Sequence, residues 1–324
     1  MFPVKAEQPR CVEGKAECVM ELNSRRVLYE KSGDMRLPMA STTKILTAIT
    51  VLETYKNIEE EIVVPEEAVG IEGSSVYLQK DEKYSVKDLL YGLMLRSGND
   101  CATALAITCS GSVGAFSAEM NKMAQKAGAL NSHFFNPHGL PAEQHYTTAH
   151  DLTLITCYAM QNTLFKEIVS TQYYPPKHWS NKNKMLYLCD GGIGVKTGYT
   201  KQAGRCLVSA VKRNGMTLVS TLLNCPTTYE RSIQLLEDAF SQYSYEKLID
   251  SETPLTIENG KIYLQGVTKQ DYFYPLLKEE KELIEIRTIP NANCVKNAKK
   301  DEIIGQFQLY LSKQLLFSGN LYKL

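Results

Sequence analysis

Apolar residues recur at helical spacing through the middle of the chain and alternate with polar residues at its flanks. The helical spacing predicts helices over residues 41–56, 86–95, 100–109, 113–127 and 148–160. The alternating segments predict a hairpin from Cys18 to Glu30 and two strands, 205–211 and 216–223. We expect the hairpin and the later strands to form one antiparallel sheet beside the helices, which is an α+β domain.

A different pattern begins near residue 246, where short alternating segments are separated by turn residues. Strands are predicted at 261–264, 283–286 and 306–311. The chain is therefore predicted to have two domains, an α+β domain over 1–245 and a small all-β, β-sandwich-like domain over 246–324. The second domain offers no pattern of catalytic residues, so we expect it to act as a spacer or a partner contact.

Composition excludes several classes of function. The 324 residues include 36 basic and 36 acidic ones without a long run of like charge, so nucleic-acid binding has little electrostatic support. No apolar run approaches the ~20 residues that span a bilayer, and Met1-Phe2-Pro3-Val4-Lys5 lacks the apolar core of a signal peptide. Neither Cys-x-x-Cys nor His-Glu-x-x-His occurs, so we expect no metal site and no cofactor.

Three short motifs follow one another along the chain. They are Ser41-Thr42-Thr43-Lys44, Ser97-Gly98-Asn99 and Lys196-Thr197-Gly198. Taken singly they are weak, because Ser-x-x-Lys recurs at 209–212 and 244–247 and Ser-Gly-Asn recurs at 318–320. Their order and settings carry the signal: the first opens a helix-like run, the second lies in a loop between two such runs, and the third ends an apolar strand-like run that we expect at a sheet edge.

The first motif supplies a nucleophile and a base. Residues three apart share one face of a helix, which places Lys44 beside Ser41. A lysine can take the proton of a serine when burial and a nearby positive charge, here Lys196, lower its pKa. These residues indicate an acyl-transfer enzyme that works without a catalytic histidine, and we expect His138 to fix a turn instead.

The flanks of the motifs resemble the low-molecular-mass penicillin-binding proteins, and more closely the serine-type D-alanyl-D-alanine carboxypeptidases. The resembling segments are 39–44, 93–100, 136–140 and 194–200. Gly98 stands where β-lactamases usually carry Asp, as is usual in the carboxypeptidase branch. The resemblance covers about residues 16–245 well and 246–324 more loosely. It implies a β-lactamase/transpeptidase-like fold for the first domain, with an antiparallel sheet and a helical cluster.

This resemblance implies catalytic roles for residues of all three motifs. Ser41 would be the nucleophile, Lys44 the general base, and Ser97 the relay that carries a proton to the departing amine. Asn99 would hold Lys44 and the substrate carbonyl. Lys196 would supply positive charge near the carboxylate of the substrate.

The same resemblance implies substrate contacts. Thr197 would offer its hydroxyl to the terminal carboxylate, and Gly198, without a side chain, would let the substrate backbone approach the strand edge. The backbone N–H groups of Ser41 and Tyr199 would form the oxyanion hole. Arg231, at the start of a later helix-like run, matches a family arginine that helps to bind the carboxylate. An ordinary exposed helix arginine is the alternative.

The implied function is removal of the terminal D-alanine from peptidoglycan stem pentapeptides through an acyl-enzyme on Ser41, with β-lactams as covalent inhibitors. A DD-endopeptidase or transpeptidase on the same scaffold is one alternative, and a weakly catalytic β-lactam- or wall-binding protein is another. A β-lactamase is disfavoured, because no Glu-x-x-x-Asn segment between the second and third motifs supplies a deacylating glutamate. We therefore expect a stable penicilloyl adduct on Ser41.

Such enzymes work outside the cytoplasmic membrane, so we expect a mature or trimmed sequence whose signal peptide has been removed. Relatives often end in an amphipathic membrane anchor, whereas residues after Leu311 predict strands; we expect peripheral membrane contact only in a longer form. Nine cysteines, an odd number, fit an exported protein poorly. If the protein comes from a bacterium that lives without oxygen, free thiols could persist in an exported enzyme.

Overall fold

The computed structural model describes residues 11–260, 262–291 and 298–324, and the chain divides into two compact units, Met1–Ala239 and Phe240–Leu324. The predicted boundary between residues 245 and 246 falls inside the strand Ser244–Ile249 rather than between elements. The predictions made for Met1-Phe2-Pro3-Val4-Lys5 and for the first residue of the strand 261–264 lie outside the described residues.

Helices occupy every region predicted to be helical. They are α1 (Lys44–Thr54), α2 (Val86–Tyr91), α3 (Asn99–Ser110), α4 (Val113–Ala127), α5 (Ala149–Ala159), α6 (Thr163–Ser170), α7 (Met185–Leu188) and α8 (Thr228–Gln242). The pattern did not predict α6 and α7. Among the described residues no single helix has the length and apolarity of a membrane span, and α3 and α4 reach both only as a pair bent by 87°.

One antiparallel sheet organises the first unit. The strands of this unit are β1 (Ala16–Glu21), β2 (Val27–Lys31), β3 (Glu61–Val63), β4 (Lys83–Ser85), β5 (Tyr173–Tyr174), β6 (Trp179–Ser180), β7 (Gly192–Thr200), β8 (Gly204–Arg213) and β9 (Met216–Leu223). The main sheet has the order β2-β1-β9-β8-β7. The hairpin therefore joins the later strands as predicted, and β7, which carries the third motif, lies at the edge.

The core of the first unit forms around α1. This helix packs against α3, α4 and α5, and α5 lies on β1 and β9. Ile45, Leu46 and Ile49 of α1 are buried, as the helical spacing requires. At the start of α4, Ser112 caps the helix by accepting a hydrogen bond from the N–H of Ala115 at 3.1 Å. Core burial thus holds α1, the helix that bears Lys44, whereas the local cap fixes the start of its neighbour α4.

The second unit is all-β, which confirms the predicted class. Its strands are β10 (Ser244–Ile249), β11 (Leu255–Asn259), β12 (Ile262–Val267), β13 (Tyr272–Leu276), β14 (Ile284–Pro290), β15 (Ile303–Leu311) and β16 (Gln314–Lys323). Five of them form a sheet in the order β11-β12-β16-β15-β14, and β10 pairs with β13. A small core that includes Ile257, Phe307 and Leu321 holds this unit together.

Candidate active site

Ser41 lies in a short 3-10 turn, and Lys44 is the first residue of the α-helix that follows. Ala40 has a left-handed φ of 51°, which costs a non-glycine residue of the order of 1 kcal/mol. Thr42 and Thr43 hold the bend by donating hydroxyl hydrogen bonds of 2.6 and 2.8 Å to main-chain carbonyls. The Nζ of Lys44 lies 3.0 Å from the Oγ of Ser41. The turn therefore brings the predicted nucleophile and the predicted base of the first motif together.

The ammonium group of Lys44 is enclosed by oxygen atoms. It donates to Asn99 Oδ1 at 2.6 Å and to the main-chain carbonyl of His138 at 2.8 Å, and the side chain has no exposed surface. Burial holds the pKa of Lys44 well below its ordinary value, and the positive charge of Lys196 lowers it further. Lys44 is thus able to lose a proton and to accept the one from Ser41.

Lys196 and Ser97 form a second pair. The Nζ of Lys196 donates to Ser97 Oγ at 3.1 Å and to the carbonyl of Thr197 at 2.9 Å. Burial lowers the pKa of Lys196 to about 7, with a further contribution from the charge of Lys182. Ser97 has a left-handed φ of 65°, a strained conformation of the kind found at functional sites. The second and third motifs therefore meet through these two side chains.

Asn99 and Asp100 fasten a loop beside the site. The backbone N–H of Asn99 donates to the carbonyl of Ser74 at 2.7 Å, and its Nδ2 donates to the carbonyl of Glu72 at 2.6 Å. The buried carboxylate of Asp100 accepts from the N–H groups of Val76 at 3.0 Å and Leu78 at 3.1 Å. Sequence reasoning did not single out Asp100, although it directly follows the second motif.

The segment from Asn136 to Leu140 forms a tight turn against α1. Asn136 Oδ1 accepts from the N–H of Gly139 at 2.7 Å, and its Nδ2 donates to the carbonyl of Leu140 at 2.9 Å. Burial lowers the pKa of His138 to about 3, so the ring is neutral. Its Nδ1 accepts from the N–H of Leu140 at 3.2 Å. His138 thus contributes a carbonyl to Lys44 and a ring that holds the turn.

A cavity of about 460 Å³ opens between the first motif and β7. Its lining residues are Ser41, Ser74, Ser97, Lys182, Thr197, Gly198, Tyr199, Arg205, Cys206, Thr228 and Tyr229. A Cβ at Gly198 would lie 3.0 Å from the carbonyl oxygen of Met39 and 3.1 Å from the amide nitrogen of Ser41. A side chain at this position would therefore crowd the main chain of residues 39–42, which packs closely against the strand.

Among the described residues, Arg231 is a predicted site residue whose side chain neither lines the cavity nor hydrogen-bonds to a residue that lines it. It is 7% exposed, and its guanidinium donates to Glu17 at 2.7 and 3.0 Å and to the hydroxyl of Tyr29 at 3.0 Å. Glu17 lies on β1 and is completely buried. The substrate contact predicted for Arg231 is therefore corrected to an internal ion pair, which a buried carboxylate needs. The spacing of residues in the sequence did not indicate that Glu17 would pair with Arg231.

Two cations of the cavity lining, Lys182 and Arg205, were missed by sequence reasoning. Arg205 opens a predicted strand, and the register of that strand with β7 could have placed it near the third motif. Lys182 lies in an irregular segment between β6 and α7 that has no sequence signature. Both extend the positive charge that Lys196 brings to the site.

Among the described residues, one cluster of candidate metal ligands lies outside this cavity lining. Cys18, Glu30 and His150 each bring a ligand atom within 4.8 Å of the others. His150 Nδ1 and Glu30 Oε1 already face each other at 2.9 Å. Burial raises the pKa of Cys18 to about 12, which opposes the thiolate form that a metal requires. The cluster is a poor metal site as it stands.

Comparison with known proteins identifies relatives over most of the chain. The family model for D-alanyl-D-alanine carboxypeptidases matches residues 3–227. The carboxypeptidase DacF of Bacillus subtilis is 30% identical over 292 residues, covering 85% of this chain and 75% of that protein. A D-alanyl-D-alanine carboxypeptidase of a Streptomyces species (strain K15) is 37% identical over 219 residues, covering 60% and 75%.

A solved structure agrees with these sequence matches. Penicillin binding protein 5 from Haemophilus influenzae superposes with a TM-score of 0.79 at 27% identity, covering 98% of each chain. The similarity therefore extends over both units, and the family model includes all three motifs. The chain belongs to the D-alanyl-D-alanine carboxypeptidase family.

Proposed function

We propose that this protein, as a serine-type D-Ala-D-Ala carboxypeptidase, removes the terminal D-alanine from peptidoglycan stem pentapeptides. The observation that carries the proposal is the distance of 3.0 Å between Lys44 Nζ and Ser41 Oγ, beside a cavity edged by an antiparallel strand. An extended peptide can add to such an edge by main-chain hydrogen bonds. The bound peptide would then present its last amide bond to Ser41.

In the acylation step, Ser41 Oγ bonds to the carbonyl carbon of the penultimate D-alanine while its proton passes to neutral Lys44. The N–H groups of Ser41 and Tyr199 stabilise the resulting oxyanion, and loss of one such donor typically costs about 10²–10³ in rate. The amide C–N bond then breaks. Ser97 relays a proton from Lys44 to the departing amine, and free D-alanine leaves.

In the deacylation step, a water molecule attacks the ester on Ser41. Lys44 takes a proton from the water and returns one to Ser41 Oγ, so the shortened peptide leaves as a carboxylic acid. A β-lactam would acylate the same oxygen. Its ring-opened product would stay attached, because the sequence between the second and third motifs has no Glu-x-x-x-Asn segment to supply the deacylating glutamate of a class A β-lactamase.

Substrate and location follow from the same proposal. The partner would be a stem peptide that ends in D-Ala-D-Ala, and β-lactam antibiotics would be covalent inhibitors. The enzyme would act outside the cytoplasmic membrane, in the bacterial cell wall, where its relatives work. Peripheral membrane contact is proposed only for a longer form of the chain.

Mass spectrometry of a synthetic stem pentapeptide after incubation tests the proposal. Wild-type protein should release one alanine, Ser41→Ala should release none, and Lys44→Ala should be slower by about 10²–10⁴. Ser244→Ala is the matched control, because it alters a Ser-x-x-Lys repeat that lies outside the cavity lining. An unshortened pentapeptide would contradict the proposal, and cleavage of cross-linked dimers instead would favour an endopeptidase.

A further inference from the structure

Arg205 is an exposed arginine on the cavity wall, and its guanidinium has no acidic partner among the residues that the structure describes. It lines the same cavity as Ser41 and Thr197. Arg213 and Arg231 pair with Glu237 and Glu17, whereas within the described part of the chain no carboxylate pairs with Arg205. Its five donors are therefore free for a ligand, and the planar fork of an arginine matches a carboxylate.

Strand register places Arg205 on the face that bears Thr197. In the β7–β8 pair, Tyr199 lies directly opposite Arg205, and Thr197 lies opposite Leu207. Directly opposite residues share a face of the sheet, and so do residues two apart on one strand. Thr197 and Arg205 are therefore diagonal neighbours at roughly 7–8 Å, a separation that a long side chain bridges.

The start of α8 closes the other side of this position. Thr228 and Tyr229 line the cavity, and the hydroxyl of Tyr229 accepts a hydrogen bond from the N–H of Lys184 at 3.2 Å. Burial raises the pKa of Tyr229, and the charge of Arg205 opposes that rise. The guanidinium thus lies within electrostatic reach of a held tyrosine, between the strand and the helix.

We propose that Arg205 binds the terminal carboxylate of the substrate together with Thr197, in the role first predicted for Arg231. Lys196 cannot satisfy both carboxylate oxygens alone, because two of its three N–H donors already serve Ser97 and the carbonyl of Thr197. Arg205 supplies further N–H donors for the carboxylate on the face of the sheet that bears Thr197. The inference rests on the proposed carboxypeptidase function and names the residue that selects for a free carboxyl end.

Two substrates that differ only at the C-terminal carboxylate test the proposed contact with Arg205. The ratio of kcat/KM for an N-acyl-D-Ala-D-Ala peptide to kcat/KM for its C-terminal amide should fall about 10- to 100-fold in Arg205→Ala. Arg205→Lys should give an intermediate ratio, because it keeps the charge and loses the fork. Lys212→Ala is the matched control, since it removes an exposed cation from the same strand outside the cavity lining. Its ratio should equal that of wild type.

If this ratio of kcat/KM values is the same in Arg205→Ala and in wild type, the inference is overturned. It is also overturned if the ratio falls in Lys182→Ala and not in Arg205→Ala. Acylation of Ser41 by a penicillin and by its carboxyl methyl ester gives a second ratio that needs no peptide hydrolysis. If wild type releases no D-alanine but the penicillin ratio falls in Arg205→Ala, the proposed function fails and the carboxylate contact stands. If peptides are hydrolysed and neither ratio changes, only the Arg205 assignment fails.

Discussion

Lys44 and Lys196 are both buried, yet neither forms an ion pair with a carboxylate among the residues that the structure describes. Burying an ammonium without a counter-ion is costly, and the protein relieves the cost by lowering the pKa of each lysine. Hydroxyl, amide and carbonyl oxygens surround them instead. At the scale of single residues, this arrangement favours a proton-accepting lysine beside Ser41.

The pH dependence of hydrolysis should reveal both lysines. The rate should rise with pH as Lys44 loses its proton, and fall at higher pH as Lys196 loses the charge that attracts the substrate carboxylate. In kcat/KM, which reports the free enzyme, the falling limb should lie near the Lys196 pKa of about 7. A bound carboxylate favours the charged form, so the falling limb of kcat should lie at higher pH.

Steady-state kinetics between about pH 5 and about pH 9 measures both profiles. Falling limbs at the same pH in kcat and in kcat/KM would contradict the role given to Lys196.

Arg231→Ala should destabilise the fold rather than weaken substrate binding. It would leave the carboxylate of Glu17 buried without its cation, a change that typically costs about 3 kcal/mol or more. Arg287→Ala is the control, because it breaks an exposed pair with Glu285, for which about 0–1 kcal/mol is expected. Urea denaturation measures both. A fully stable Arg231→Ala with a raised KM would restore the original prediction.

Among the elements, the turn from Asn136 to Leu140 positions Ser41, the proposed nucleophile. A Cβ at Gly139, where φ is 90°, would lie 2.0 Å from the carbonyl oxygen of Ala40 and 2.9 Å from the amide nitrogen of Ser41. Gly139→Ala should therefore displace Ser41 and slow acylation by penicillin by about 10²-fold, the scale of a 1 Å misplacement.

Gly111→Ala provides the matched control for this turn. Gly111 has a similar φ of 76°, and a Cβ there would meet no atom within 4 Å. Both variants carry comparable backbone strain, so a difference between them isolates the steric contact with the turn that bears Ser41. Equal acylation rates in the two variants would show that Gly139 does not position the nucleophile.

Local spacing predicted the elements and the contacts within them. The approach of Lys44 to Ser41 depends only on positions three apart, so it could be predicted from sequence. The start of α1 could not be placed to the residue, because the hydroxyls of Thr42 and Thr43 bond to main-chain carbonyls and keep residues 40–43 in a 3-10 turn.

Contacts between elements were less accessible to sequence reasoning. The orientation of the Arg231 side chain depends on its ion pair with Glu17, which lies on a strand more than 200 residues earlier in the chain. The position of Arg205 depends on the register of β8 against β7. The spacing of residues reveals neither the buried partner of a side chain nor the register of two paired strands. The α+β and all-β classes, in contrast, follow from the periodicity of apolar residues alone.

At the scale of the whole molecule, the oxidation state of the cysteines shows whether disulfide bonds stabilise the chain. The eight cysteines within the described residues are all unpaired, with Cys11 and Cys109 half-buried and the others buried. Burial raises the pKa of Cys109 to about 12 and that of Cys206 to about 11, so native thiols should react slowly. Titration in denaturant without reductant should find all nine thiols of the chain. Quantitative disulfide pairing would contradict this.

The central claim is that Ser41 is acylated with Lys44 as its base, and intact-protein mass spectrometry with penicillin tests it most directly. Wild type should gain the mass of one penicillin, and peptide mapping should place it on Ser41 and show it persisting for long after the excess drug is removed. Lys44→Ala should acquire it far more slowly. A modification on another residue, or an adduct that forms equally fast in Ser41→Ala, would contradict the account.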